Sequence, residues 1–177
     1  NGSSCGTQMK LGLYAGGWHY SAAEISTNVW THVAAAYDGT NVSFYINGVL
    51  DSTSPQTGSV YQIGSPLFIC RQGLESNCNY FQGGIDEVRI WRTARTANEI
   101  AANRSQVLAG TETNLVAYYR FDAGSGSVAA NSATSGAIND LSLSNSPAWV
   151  SSGARFKPDV VLASSSGANN STAILEG

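Results

Sequence analysis

A chain of 177 residues with 42% hydrophobic side chains is one domain-sized unit able to bury a core, and disorder would call for more charge than the 12% it carries. A formal net charge of -3 and the lack of any Lys/Arg cluster argue against nucleic acid and anionic membrane as partners, since both require a basic face. No apolar run approaches the roughly 20 residues that span a bilayer, so membrane insertion is not expected, and no signal-peptide pattern opens the chain.

Lys10 to Tyr14 and Trp18 to Ala22 read as two strands around Gly16-Gly17. Thr31 to Tyr37 and Val42 to Ile46 form a hairpin about Asp38-Gly39. In the second of these strands Val42, Phe44 and Ile46 alternate with Ser43, Tyr45 and Asn47, the period of a strand with one buried face. Asn47-Gly48 adds a second tight-turn signal, so the sheet is antiparallel. Leu67 to Cys70 is a short apolar strand after Gly64-Ser65-Pro66, and Phe81 to Trp91 is expected to be the longest strand. Thr96-Ala97-Asn98-Glu99 has the form of a capping box and predicts a helix from Ala97 to about Arg104, ended before Gly110. Leu115 to Phe121 alternates as a further strand. Residues 123–148 are irregular, with Leu141-Ser142-Leu143 the clear strand candidate, and residues 158–177 form a hinge-linked tail of two short strands. No internal repeat is visible.

Two ordered motifs carry a resemblance. Trp30-x-His32-Val33-Ala34-x-x-Tyr37-Asp38-Gly39 leads into Tyr45-x-Asn47-Gly48, and Phe81 to Trp91 is followed by Arg95 to Ile100. Together they resemble the laminin-G-like or concanavalin-A-like lectin/glucanase jelly roll, clearly over about residues 9–105 and more weakly at Leu115 to Asp122, Gly124-Ser125-Gly126 and Trp149. The resemblance implies an all-β, antiparallel two-sheet jelly-roll sandwich with one short helix over residues 1–157. It also implies opening strands upstream of Met9 that this sequence does not show. Either the chain is a piece of a longer protein or something else supplies those strands.

Catalytic members of such folds carry paired carboxylates on one strand, because retaining glycoside hydrolysis needs two carboxyl groups about 5 Å apart. Here Glu24, Glu75, Glu87, Glu99, Glu112 and Glu176 stand singly, and Asp86 and Glu87, as neighbours on a strand, point to opposite faces. His19 and His32 lack a nucleophile motif beside them, and His32 reads as a hydrogen-bonded structural residue. No enzyme activity is expected. Sugar recognition would draw on exposed rings and amides, for which Trp18, Tyr20, Tyr61, Asn79 and Tyr80 are the candidates, whereas Trp30, Tyr45, Trp91 and Trp149 are assigned to the core. By resemblance, Asp86 matches a position that supplies a calcium ligand. The alternative is that it accepts backbone hydrogen bonds or pairs with Arg89 or Arg120.

Cys5, Cys70 and Cys78 match no zinc or redox spacing. Cys70 and Cys78 flank a polar loop and are expected to form a disulfide, with Cys5 pairing to one of them, or three free thiols, as the alternatives. The function that follows is a non-catalytic extracellular recognition or adhesion module binding carbohydrate or protein, within a larger secreted or cell-surface protein. The alternative is a structural subunit of an extracellular filament or surface layer assembled by strand exchange, in which the tail from Val160 to Leu175 is either the donated strand or, as the favoured reading, one that folds back on its own sheet.

Overall fold

Asn47-Gly48 is a tight turn with both residues in the left-handed region, at φ 51° and 78°. In the computed structural model, which describes residues 10–58, 66–70, 81–135, 139–145 and 147–154, that turn joins β4 (Asn41–Ile46) to β5 (Val49–Pro55). Two positive φ values match the right-handed twist of the flanking strands. The preceding turn works differently: Gly39 alone takes a positive φ, of 95°, while the Asp38 carboxylate caps the loop. Asp38 Oδ1 accepts hydrogen bonds from the Thr40 and Asn41 amides and the Thr40 hydroxyl at 2.7–2.8 Å. This joins β3 (Val33–Tyr37) to β4 and yields a sheet in the order β3-β4-β5, antiparallel throughout.

Two compact units divide the chain, residues 1–84 and 85–177. In the first, β1 (Gly12–Tyr14) and β2 (Trp18–Tyr20) make a short hairpin beside that sheet. Val42 and Phe44, fully buried on one face of β4, form its core with Ala15 and the partly buried Leu11, Leu13 and Tyr37. Removing the Val42 and Phe44 side chains from water contributes roughly 1.5–3 kcal/mol each, which favours this hairpin register over one that turns them outward. Val49–Pro55 lacks the alternation that marks its neighbours. It is a strand because turn geometry delivers it to β4, where Ser43 and Thr53 hydroxyls bond across the ladder at 3.1 Å.

The second unit holds β6 (Val88–Trp91), α1 (Ala97–Asn103), β7 (Leu115–Tyr119), β8 (Val128–Ala129) and β9 (Leu141–Ser142), with β6-β7 and β8-β9 antiparallel. The expected capping box is present: Thr96 Oγ1 accepts the Glu99 amide at 3.3 Å and the Glu99 carboxylate accepts the Thr96 amide at 2.8 Å. Leu108, Leu115, Tyr118 and Ala133 are the core, with Trp91 packed against them.

Three strand expectations change. Phe81 to Trp91 shrinks to Val88–Trp91 because Glu87 adopts φ 54°, which interrupts extended backbone, and β5 at seven residues is the longest strand described. Leu115 to Phe121 stops at Tyr119, before Phe121 at φ 56°. The stretch Leu67 to Cys70 is not a strand, and Cys70 sits at φ 70°. The tail from 158 to 177 lies outside the described residues.

Candidate functional site

The turn Ala15-Gly16-Gly17 sets Tyr14 opposite Trp18 and Gly12 opposite Tyr20. Directly opposed residues of an antiparallel pair share a face, so all four lie on one side of the hairpin. The other side carries Leu11, Leu13 and Ala15 into the core, with His19 and Ser21 alternating inward on β2. The outer side is aromatic and open: Tyr14 and Trp18 are each 53% exposed and Tyr20 43%. Trp18 and Tyr20 lie nearly parallel, centroids 5.9 Å apart and planes 14° apart, while Tyr14 meets Trp18 edge-on at 5.5 Å and 71°. The Tyr20 ring extends over Gly12, with ring carbons 3.1 and 3.2 Å from where a Cβ would stand.

Polar bonds on the inner side hold this platform to the sheet. His19 Nε2 lies 3.2 Å from Gln56 Oε1, and Gln56 Nε2 donates to the Thr57 carbonyl at 2.8 Å. The same amide fills the space beneath Gly16, where a Cβ would stand 2.6 Å from Gln56 Nε2. Ser21, 2% exposed, donates to the Ala23 carbonyl at 2.7 Å and accepts the Leu11 amide at 3.1 Å. Asp51 on β5 accepts the Ala22 and Ala23 amides at 2.6 and 3.0 Å. Desolvation works to raise the Asp51 carboxyl, but those two amides, the Ser52 hydroxyl and the charge of Lys10 outweigh it and hold it below the ordinary carboxylate range.

A second polar cluster sits in the other unit. Glu87 Oε2 accepts both Arg89 Nη2 and the Tyr118 hydroxyl at 2.5 Å. Arg89 also donates to the carbonyls of Asn103, at 2.7 Å, and Gln106, supplying a cation at the C-terminal end of α1, which has no basic residue in its own last turn. Its guanidinium carbon lies 5.3 Å from the centre of the Tyr118 ring. Burial first, and then the bond to Glu87, push the Tyr118 phenol up to about 12. Glu87 Oε2 is committed to two donors, and through Arg89 the cluster ties β6 to the end of α1.

Trp18 and Tyr20 are thus brought together, and Tyr14 joins them. Its signal was the symmetry of the turn: a strand pair closing over three residues places Tyr14 across from Trp18. Tyr61, Asn79 and Tyr80 lie outside the described residues. Asp86 and Glu87 do not occupy opposite faces of one strand, because both precede β6. Asp86 Oδ1 accepts the Glu87 amide at 2.9 Å, while Arg89 pairs with Glu87 and Arg120 with Asp122, not with Asp86. Calcium takes six to eight hard oxygens. Among the described residues no three His, Cys, Asp or Glu side chains gather around one point, and Asp86 brings one carboxylate with an oxygen already engaged. Cys70 is exposed, and its expected disulfide partner Cys78 lies outside the described residues, as does Cys5.

Among the rings assigned to the core, Tyr45 is 7% exposed and Trp91 and Trp149 are partly buried. Trp30 is not in the core: it is 44% exposed, its six-membered ring lying against Gly84. His32 is half-buried, and its amide donates to Asn47 Oδ1 at 3.1 Å, joining the start of β3 to the β4-β5 turn.

An antiparallel all-β chain with one short helix and an aromatic hairpin face has the form of a lectin-like domain. The match is to the concanavalin A-like lectin/glucanases superfamily over residues 3–101, and the chain belongs to that family. A crystal structure of a Bacteroides ovatus protein, provisionally described as carbohydrate-binding, is similar with a TM-score of 0.60 and 27% identity over 78% of this chain and 43% of that one. A segment of an S-layer domain-containing protein from Clostridium thermocellum gives a TM-score of 0.41 at 25% identity, over 54% of this chain and 51% of that one. Among curated proteins, Pappalysin-1 of Mus musculus and of Homo sapiens are 36% and 35% identical over 80 residues, 42% of this chain. The chain spans only 5% of the length of those relatives. Among the described residues no helix is long and apolar enough to cross a membrane.

Proposed function

We propose that the chain is a non-catalytic carbohydrate-binding module of a larger extracellular protein, and that Tyr14, Trp18 and Tyr20 grip the sugar. The observation that carries the reading is the exposed pair of nearly parallel rings on a hairpin whose inner side is bonded down. Flat aromatic surface matches the C–H face of a pyranose, and a fixed hairpin lowers the ordering cost of binding. Family membership and the Bacteroides ovatus neighbour support the ligand class, and the lack of paired carboxylates in the sequence supports the non-catalytic part. The extracellular setting rests on the low-charge composition and the cysteines.

Trp18 offers on the order of 100 Å² of open surface, worth up to about 2.5 kcal/mol when covered. Binding of the full chain to an array of plant, bacterial and animal glycans, with the best ligand then measured by calorimetry, is the test. Trp18→Ala is expected to weaken that affinity by roughly ten- to seventyfold with no change in thermal midpoint. Equal affinity in Trp18→Ala and Tyr20→Ala would remove the platform from the reading. Release of reducing sugar from any bound glycan would remove the non-catalytic assignment.

A further inference from the structure

The second unit contains a cleft that the hairpin platform does not explain. It measures about 320 Å³ and is lined by Arg120, Phe121, Asp122, Ala129, Ala130 and Trp149 among others. Its wall follows β7, where the chain turns at Phe121 into the left-handed region at φ 56°, a conformation an aromatic residue rarely adopts and one that clusters at binding sites. That turn brings Arg120 and Asp122 to the same mouth: Arg120 Nε and Asp122 Oδ2 are 3.1 Å apart, with 40% and 62% of the two side chains exposed. Both side chains stay partly open to solvent, so a guanidinium and a carboxylate stand together at the mouth of the cleft. Trp149 donates its indole N–H to the Gly126 carbonyl at 2.8 Å, which fixes its ring at the cleft. Alanines at 129 and 130 leave the volume open.

We propose that this cleft is a second ligand site that takes one pyranose ring by two adjacent hydroxyls. A vicinal diol supplies an acceptor for the guanidinium and a donor for the carboxylate at the spacing of an Arg–Asp pair, while the indole covers a C–H face of the ring. The volume lies at the lower end for ligand cavities, which fits one ring and not a chain of them. The inference shares its ligand class with the platform reading but none of its residues.

The test is an amide and indole nuclear magnetic resonance titration of the full chain with methyl β-D-glucopyranoside, methyl α-D-mannopyranoside and methyl β-D-galactopyranoside. Trp149→Phe identifies the indole signal of Trp149. That signal is expected to move saturably with at least one glycoside. Asp122→Asn, at an exposed position, is expected to weaken the response several-fold, the scale of exchanging a hydrogen bond to a charged group for one to a neutral amide, and Trp18→Ala is expected to leave it unchanged. A Trp149 indole unmoved by all three glycosides overturns the cleft, and so does a response of equal affinity in Asp122→Asn. Movement of the Trp18 indole alone overturns the cleft and keeps the platform. Movement of Trp149 alone supports the cleft and counts against the platform.

Discussion

Tyr118→Phe removes one oxygen from a side chain that is fully buried, and the structure shows what that oxygen does. It donates to the Glu87 carboxylate at 2.5 Å and accepts the Leu108 amide at 3.1 Å. Loss of a hydrogen bond to a charged group costs about 1.5–3 kcal/mol, and a buried amide left without an acceptor costs about 1–3 kcal/mol. The two overlap, since both include water the site cannot admit, so a net loss of about 2–4 kcal/mol is expected, with the ring packing kept. Urea unfolding followed by tryptophan fluorescence should show a lower midpoint with an unchanged slope. Tyr119→Phe is the internal control: Tyr119 is as deeply buried, but its hydroxyl bonds one carbonyl, that of exposed Asn139, at 2.7 Å. Its loss should cost about 1 kcal/mol or less. If the two variants destabilise equally, or Tyr118→Phe costs under about 0.5 kcal/mol, the Glu87–Arg89–Tyr118 cluster does not hold this unit together.

The same phenol sets an alkaline limit. With its folded pKa raised to about 12 from the ordinary tyrosine value of 10.0, the unfolded chain loses the proton first, so stability from this group is full below about pH 10 and falls as pH rises toward 12; circular dichroism against pH should show a shallower decline in Tyr118→Phe. Thr96→Ala removes the hydroxyl of the capping box and should lower stability by about 1 kcal/mol in urea unfolding, while Thr96→Ser should restore most of it. Because Asp86 brings a single carboxylate with one oxygen engaged, chelation with EDTA is expected to leave the thermal midpoint of this chain unchanged, and a drop of several degrees that calcium reverses would place a cation there.

The hairpin signals were the most legible part of the sequence, because turn chemistry at Asp38-Gly39 and Asn47-Gly48 is local. The capping box at Thr96 and Glu99 was legible for the same reason. Trp18 and Tyr20 could be singled out beside a Gly-Gly turn, but their partner Tyr14 needed the cross-strand register as well. Trp30 shows the limit of reasoning from hydrophobicity, since a large ring in a strand motif points to the core and yet lies 44% exposed. The Glu87–Arg89–Tyr118 cluster was out of reach: its members come from segments 31 residues apart, and it forms only because Glu87 leaves extended backbone. The strand β5 was hidden because register, not its own apolar pattern, recruits it.

The contact between Tyr20 and Gly12 gives position 12 a larger role than its size suggests. A methyl group there would stand 3.1 Å from the ring, so the Tyr20 ring would have to give by a few tenths of an ångström. Because Tyr20 stacks nearly parallel to Trp18, a shift of one ring would disturb the stacking of the pair. The stacked ring pair is therefore seated on a missing carbon, and its geometry depends on a residue that contributes no ring of its own.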